Sequence, residues 1–125
     1  MSPLRGLQDL QAFPSFESCP DENSVDLQYY STDNGYYFRP SRHWCLLAEI
    51  THVEYFIRLR LYVRDKSGYE FPVAFYPEGD EEPTLDQYRK GHTIAILYPH
   101  QHGFMDMTIG IRQENMYNIQ VWRDG

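Results

Sequence analysis

The residues whose types and spacing point most clearly to chemistry are arginines and a tyrosine in one segment of the chain. Arg58, Arg60, Tyr62 and Arg64 alternate with aliphatic residues. In a β-strand, side chains two residues apart lie on the same face. Guanidinium groups pair with phosphates and carboxylates, and both arginine and tyrosine stack on aromatic rings. The pattern therefore predicts a basic, ring-bearing strand face that is suited to ligand binding.

A second strand extends this face. Asp65-Lys66-Ser67-Gly68 indicates a tight turn, and the strand predicted after it, at 69–76, places Tyr76 outward. Two interpretations stay open. Neighbouring glutamates neutralise the arginines in cross-strand pairs, or the arginines are available to a nucleic acid or an acidic protein. The glutamates concerned are Glu49, Glu54 and Glu70.

His100 and His102 are two residues apart in an extended segment, which is a spacing that brings two imidazoles to one side. With Asp106 or His52 they would offer nitrogen and oxygen ligands to zinc. The alternative is a structural loop in which Phe104 plugs the barrel. We favour the loop, and we predict no metal and no cofactor.

The chain shows no catalytic motif. Cys45 and His43 share a strand face but lie about 7 Å apart along the strand, and no serine occupies a nucleophile elbow. No glycine-rich loop precedes a helix in a phosphate-binding arrangement. We therefore predict a protein that is not an enzyme.

Residues 25–40 predict a β-hairpin, because Asn34-Gly35 favours a turn with positive φ. Tyr36, Tyr37 and Phe38 follow this turn. Such a short hairpin cannot bury so many rings. They form either an interface, with a partner protein or a second copy, or an outer layer over the barrel.

Composition limits the class of protein. Eighteen acids and eleven bases give a net charge of −7, which argues against a general nucleic-acid binder. We interpret both cysteines as reduced thiols, with Cys45 facing the interior and Cys19 in a loop. No secretory signal and no membrane-spanning stretch is recognised, so we expect an intracellular protein, cytoplasmic or nuclear.

The predicted elements follow the order of an OB-fold. Strands are predicted at 43–54, 55–64, 69–76, 92–98 and 104–112, and a further segment at 117–122 closes the pattern. A short helix, capped by Thr84, separates the third and fourth strands. We predict an all-β protein: a five-stranded OB-like Greek-key barrel at 41–125, preceded by an N-terminal arm and tyrosine-rich hairpin at 1–40. Pro72 predicts an edge position or a bulge.

Two long phrases also carry a family resemblance. They are HWCLLAEITHVEYFIRLRLYVRDKSG at 43–68 and GHTIAILYPHQHGFMDMTIGIRQE at 91–114. Both are similar to the N-terminal region of fungal MYND-type zinc-finger proteins. The MYND cysteines and histidines are absent, so the chain is either an isolated N-terminal domain or a relative without the finger. The resemblance implies a non-catalytic, interaction-type regulatory protein.

Together these features predict a protein-interaction module that uses the exposed face of the second and third strands or the tyrosine-rich hairpin. The alternative is an OB-fold binder of single-stranded nucleic acid that uses the arginine–tyrosine face. The candidate binding residues are Arg58, Arg60, Tyr62, Arg64, Tyr76, Tyr36, Tyr37, His100 and His102.

Overall fold

The computed structural model describes residues 12–78 and 85–123, and these residues form an all-β protein. Its strands are β1 Tyr30–Ser31, β2 Arg39–Pro40, β3 Cys45–Phe56, β4 Arg58–Asp65, β5 Glu70–Phe75, β6 Thr93–Leu97, β7 His102–Gly103, β8 Ile109–Gln113 and β9 Ile119–Trp122. Single turns of 3-10 helix occur at Phe16–Ser18, Leu85–Gln87 and Met116–Asn118.

The strands make one seven-stranded mixed sheet in the order β7-β8-β5-β4-β3-β6-β9, while β1 and β2 form a separate two-stranded sheet. The strands β3, β4 and β5 are an antiparallel meander, β6 lies antiparallel to β3, and β8 lies parallel to β5. The order of the long strands along the chain is the one predicted for an OB-like protein, whereas the sheet has seven strands and not the predicted five. Among the described residues no ladder joins β7 to β9, so the predicted barrel closure is not seen.

The core is built by strands in which inward apolar side chains alternate with outward ones. The inward side chains of β4 and β5 are all buried, whereas the residues between them carry the predicted outward groups. In β3 the register shifts between Ile50 and His52, which leaves Thr51 as the extra residue of a bulge. The bulge changes the phase of the strand, so Val53, predicted on the outer face, packs against the core instead.

The predicted two-turn helix is reduced to the 3-10 turn Leu85–Gln87, and its predicted cap Thr84 lies outside the described residues. Of the residues just after the turn, Tyr88 is buried against Phe75. Isolated helical segments this short are marginal because nucleation is costly. One buried ring anchors a turn of this length, but it does not extend the turn into a helix.

Pro72 lies in the interior of the sheet and not at the predicted edge. Asp65 N–H donates to the Tyr69 carbonyl, which makes Tyr62–Pro72 a non-hydrogen-bonded pair. The missing N–H of Pro72 therefore faces β8, where the ladder begins only at Val73. An internal proline is tolerated because no ladder bond is needed from it.

The segment before the sheet packs onto it. The Phe16 ring stacks on Phe71 at 4.0 Å. Cys19 lies in a loop, as predicted, and is buried there, whereas Cys45, predicted to face the interior, is half-buried. Both thiols are free. The predicted hairpin pairs only Tyr30 and Ser31 with 39–40, and Asn34-Gly35 lies inside the long loop 32–38.

In the described part of the chain, no helix has the length and apolar character needed to cross a membrane.

Candidate ligand-binding face

Three strands bring the predicted arginines together with one that the sequence did not single out. The register aligns Arg60 of β4 with Ala74 of β5, and Ala74 with Arg112 of β8. We call this surface the arginine face. It consists of Arg58, Arg60, Tyr62, Arg64, Glu70, Tyr76 and Arg112.

Two guanidinium groups lie against the ring of Tyr76. The Cζ atom of Arg58 is 3.6 Å from the ring centroid, and that of Arg112 is 4.2 Å away. Tyr76 N–H donates to the Gln113 carbonyl, and Arg58 Nη1 donates to the Phe75 carbonyl at 3.3 Å. These contacts hold both guanidiniums in fixed orientations at the surface.

Three arginines of this face, Arg60, Arg64 and Arg112, are each paired with an acid. Arg64 lies 3.6 Å from Glu70, as one of the two predicted interpretations requires. Arg112 lies 3.1 Å from Glu114, an acid that the sequence interpretation did not consider. Among the described residues Arg58 has no carboxylate at ion-pair distance.

Arg60 is the most enclosed arginine of this face. Its guanidinium contacts Asp106 at 3.3 Å and Thr108 Oγ1 at 3.2 Å, and the Phe104 ring lies 5.3 Å away. Hydrogen bonds from Thr108, and then the nearby Arg60 cation, hold the pKa of Asp106 below its ordinary value. Arg60 therefore ties the loop 104–108 to the sheet, and Phe104 lies over an arginine instead of plugging a barrel.

The same loop exposes two apolar side chains at the edge of the arginine face. Met105 and Met107 are fully exposed, and Met107 has a φ of +72°. On the same face, towards β3, Tyr62 is half-buried beside the ring of His52. Burial is the largest cause of a raised pKa at Tyr62.

Tyr36 and Tyr37 lie on the loop between β1 and β2, which are not strands of the seven-stranded sheet. Their side chains are 85% and 81% exposed. Their backbone N–H groups donate to Asn34 Oδ1 at 2.8 and 3.0 Å. The asparagine of the predicted turn thus fixes the backbone of this loop and leaves both rings in solvent.

His100 and His102 bind the N-terminal segment. Tyr30 Oη and His100 Nε2 are 2.6 Å apart, and His102 pairs with Glu22. Burial lowers the pKa of His100. Among the described residues no group of three or more His, Cys, Asp or Glu side chains is placed to hold a metal.

Sequence reasoning missed Arg112. Its neighbours at 110 and 114 gave no alternating pattern with other bases, and only the parallel pairing of β8 with β5 places it beside Tyr76. The sequence did show that Arg112 and Glu114, which are two residues apart, would share one face of a strand.

Comparisons with known proteins give limited likeness. No family model matches the chain, so the resemblance to MYND-type proteins has no support there, and no curated protein matches either. A chain of the S. pombe Stn1–Ten1 complex is similar at 18% identity and a TM-score of 0.46, over 81% of this chain and 71% of that one. The S. cerevisiae mitochondrial single-stranded DNA binding protein Rim1 is similar at 13% identity and a TM-score of 0.41, over 66% of this chain and 95% of that one. Because both TM-scores are low, we infer the class of ligand from this chain's own residues and not from these two proteins.

Proposed function

We propose that this protein is a non-catalytic binding module and that its arginine face binds single-stranded nucleic acid. The observation that carries this proposal is the placement of Arg58 and Arg112 against the Tyr76 ring. Arg58 supports it most, since it lacks an acidic partner among the described residues.

The guanidinium groups of Arg58 and Arg112 are oriented on the Tyr76 ring before a ligand binds, which favours binding. A guanidinium held on a ring loses little side-chain entropy when it pairs with a phosphate or stacks on a base. The exposed Met105 and Met107 border the face, where they offer apolar contact to unpaired bases. Unpaired bases of a single strand present their faces to such groups, whereas a duplex hides them.

Charge sets the strength of binding. The net charge is −7, and Arg60, Arg64 and Arg112 already have acids beside them. Few phosphates are therefore neutralised, and we expect modest affinity with a shallow salt dependence. Each phosphate contact to a single strand contributes a slope of about −0.7 in log K against log salt.

The test is a fluorescence anisotropy titration of labelled single-stranded DNA and RNA at two salt concentrations. We expect Arg58→Ala to weaken binding about tenfold and to reduce the salt slope by about 0.7, because one phosphate contact is lost. Arg112→Ala should act in the same direction, since its guanidinium shares the Tyr76 ring.

Arg64→Ala is the matched control. Arg64 is an arginine of the same strand that pairs with Glu70, and among the described residues it does not contact the Tyr76 ring as Arg58 and Arg112 do, so its loss should change the affinity much less. The proposal fails if wild-type protein binds neither polymer at the lower salt concentration. It also fails if folded Arg58→Ala and Arg112→Ala variants, checked by circular dichroism, bind like the wild type.

A second candidate function is protein interaction through the loop between β1 and β2. The exposure of Tyr36 and Tyr37 on a loop fixed by Asn34 favours it, because rigid exposed tyrosines are common in protein interfaces. Replacing both tyrosines by serine should leave the nucleic-acid titration unchanged, which keeps the two surfaces distinct.

A further inference from the structure

The end of β3 and the turn into β4 expose three consecutive apolar side chains. Tyr55, Phe56 and Ile57 are 61%, 84% and 82% exposed. Single exposed apolar residues are ordinary, but a contiguous set of large ones at one strand end is typical of an interaction site. We call these three residues the apolar turn.

The backbone of the apolar turn is strained at its centre. Ile57 has a φ of +69°, in the left-handed region. A β-branched residue there is an outlier, since its Cβ substituents collide with the backbone, and glycine or asparagine would fit without that cost. Because the Ile57 side chain is 82% exposed, its packing against the described residues does not compensate for the strain. The strain therefore counts against a purely structural role for this isoleucine.

A cavity lies next to the apolar turn. It has a volume of about 280 Å³. The exposed side chains that line it are those of Tyr55, Ile57 and Leu85 together with the cation Arg58, which has no acidic partner among the described residues, whereas Leu59 and Phe75 are buried. The lining residues are Tyr55, Ile57, Arg58, Leu59, Phe75, Pro77 and Leu85.

The chemistry of this lining selects the class of occupant. The exposed side chains of Ile57 and Leu85 offer a nucleobase no partner for its ring nitrogens and carbonyl groups, and buried polar groups without partners are costly. An aliphatic or aromatic side chain of a protein meets those walls without that penalty. The unpaired Arg58 at the rim complements a carboxylate adjacent to that side chain.

We infer that the apolar turn and its cavity bind a segment of a partner protein in which a bulky apolar residue adjoins an aspartate or glutamate. The apolar side chain enters the cavity, Phe56 and Ile57 cover it, and the carboxylate pairs with Arg58. This inference goes beyond nucleic-acid binding. The two ligands share Arg58 alone, so they compete for it.

The probe is a library of random peptides displayed on phage and selected on the immobilised wild-type protein. We expect enriched peptides to carry Leu, Ile, Phe or Trp beside Asp or Glu. Selection on Arg58→Glu should enrich Lys or Arg at the acidic position, because the sign of the rim charge is reversed. A synthetic copy of one enriched peptide is then titrated by calorimetry.

Ile57→Gly tests the strain and the contact together. The variant should keep or raise the melting temperature, because glycine accepts the left-handed backbone. It should bind the synthetic peptide at least about tenfold more weakly, because an apolar wall is lost. Arg112→Ala should leave peptide affinity unchanged while it weakens DNA binding, so failure of either proposal is recognised separately.

Three results would overturn the inference. The first is a wild-type selection that enriches no peptide, or enriches peptides that lack the paired apolar and acidic residues. The second is peptide affinity unaltered in folded Ile57→Gly and Arg58→Glu variants. The third is single-stranded DNA that shifts the Leu85 methyl resonances in NMR spectra, which would assign the cavity to nucleic acid.

Discussion

At the scale of single residues, Asp65 carries more contacts than its position in a turn suggests. Its carboxylate accepts hydrogen bonds from the N–H groups of Phe16, Ser67 and Tyr69 and from the Ser67 hydroxyl. The side chain is buried. Asp65 thus closes the β4–β5 turn and also holds the N-terminal segment to the sheet.

These contacts predict a pH dependence of stability. Burial is the largest influence on the Asp65 carboxyl and raises its pKa, but the hydrogen bonds together outweigh burial and leave the pKa below its ordinary value. A lowered pKa means that the stabilisation is complete above about pH 4, the unfolded value. It is lost as the pH falls through the pKa of the folded state.

Asp65→Asn replaces one acceptor by a donor that faces the Phe16 N–H. We expect the free energy of unfolding in urea at neutral pH to fall by about 1–3 kcal/mol. The difference from wild type should shrink below about pH 4. Asp33→Asn is the control, because Asp33 pairs with Arg39 at an exposed site and should change stability little. A difference that is constant down to acid pH would contradict this role.

At the scale of elements, the pairing of β5 with β8 organises the candidate site. Residues 57–64 and 69–76 alternate locally and flank one turn, so their faces were predictable from sequence. The β5–β8 ladder joins Val73 to Ile111 across a long stretch of chain and no turn motif announces it. Arg112 was missed for this reason.

Two other differences between the structure and the sequence predictions also could not be inferred from a local pattern. The bulge at Thr51 inserts one residue, and Thr51 Oγ1 donates to the Tyr62 carbonyl, a contact that exists only after β3 and β4 have paired. The 3-10 turn Leu85–Gln87 replaced the predicted helix because, among the described residues 85–90, only Tyr88 is buried. Periodicity predicts faces well, but it does not predict register shifts or long-range ladders.

Gly110 is the residue that permits this ladder. A Cβ atom at Gly110 would lie 2.1 Å from the Pro72 carbonyl oxygen, which is backbone and cannot yield cheaply. We expect Gly110→Ala to separate β8 from β5 and to lower the free energy of unfolding by about 1–3 kcal/mol or more. It should also weaken nucleic-acid binding, because Arg112 moves away from Tyr76.

Gly103→Ala is the matched control for this prediction. A Cβ atom at Gly103 would meet nothing within 4 Å, so we expect a change within about 0.5 kcal/mol. Equal stability of the two alanine variants in urea unfolding would show that the close approach at Pro72 does not constrain the sheet.

At the scale of the whole molecule, the segment before β3 shares the core of the sheet. Phe16 belongs to the same buried cluster as the residues of β4 and β5, and Tyr29 packs on Trp44 at 4.7 Å. Gln101 Nε2 donates to the carbonyls of Phe16, Glu17 and Cys19. The predicted division into an arm at 1–40 and a barrel at 41–125 stays a prediction, and these contacts favour one cooperative unit.

Phe16→Ala distinguishes one cooperative unit from an arm that opens by itself. Phe16 is 2% exposed, and its loss leaves a cavity against Phe71. If the core is shared, the free energy of global unfolding should fall by about 3–5 kcal/mol, and hydrogen exchange should accelerate in β4 and β5 as well as in 12–40. Phe38→Ala, which removes a half-exposed ring of the same segment, should cost much less. Faster exchange confined to 12–40, with unchanged global stability, would instead establish a separable arm and support the division at residue 40.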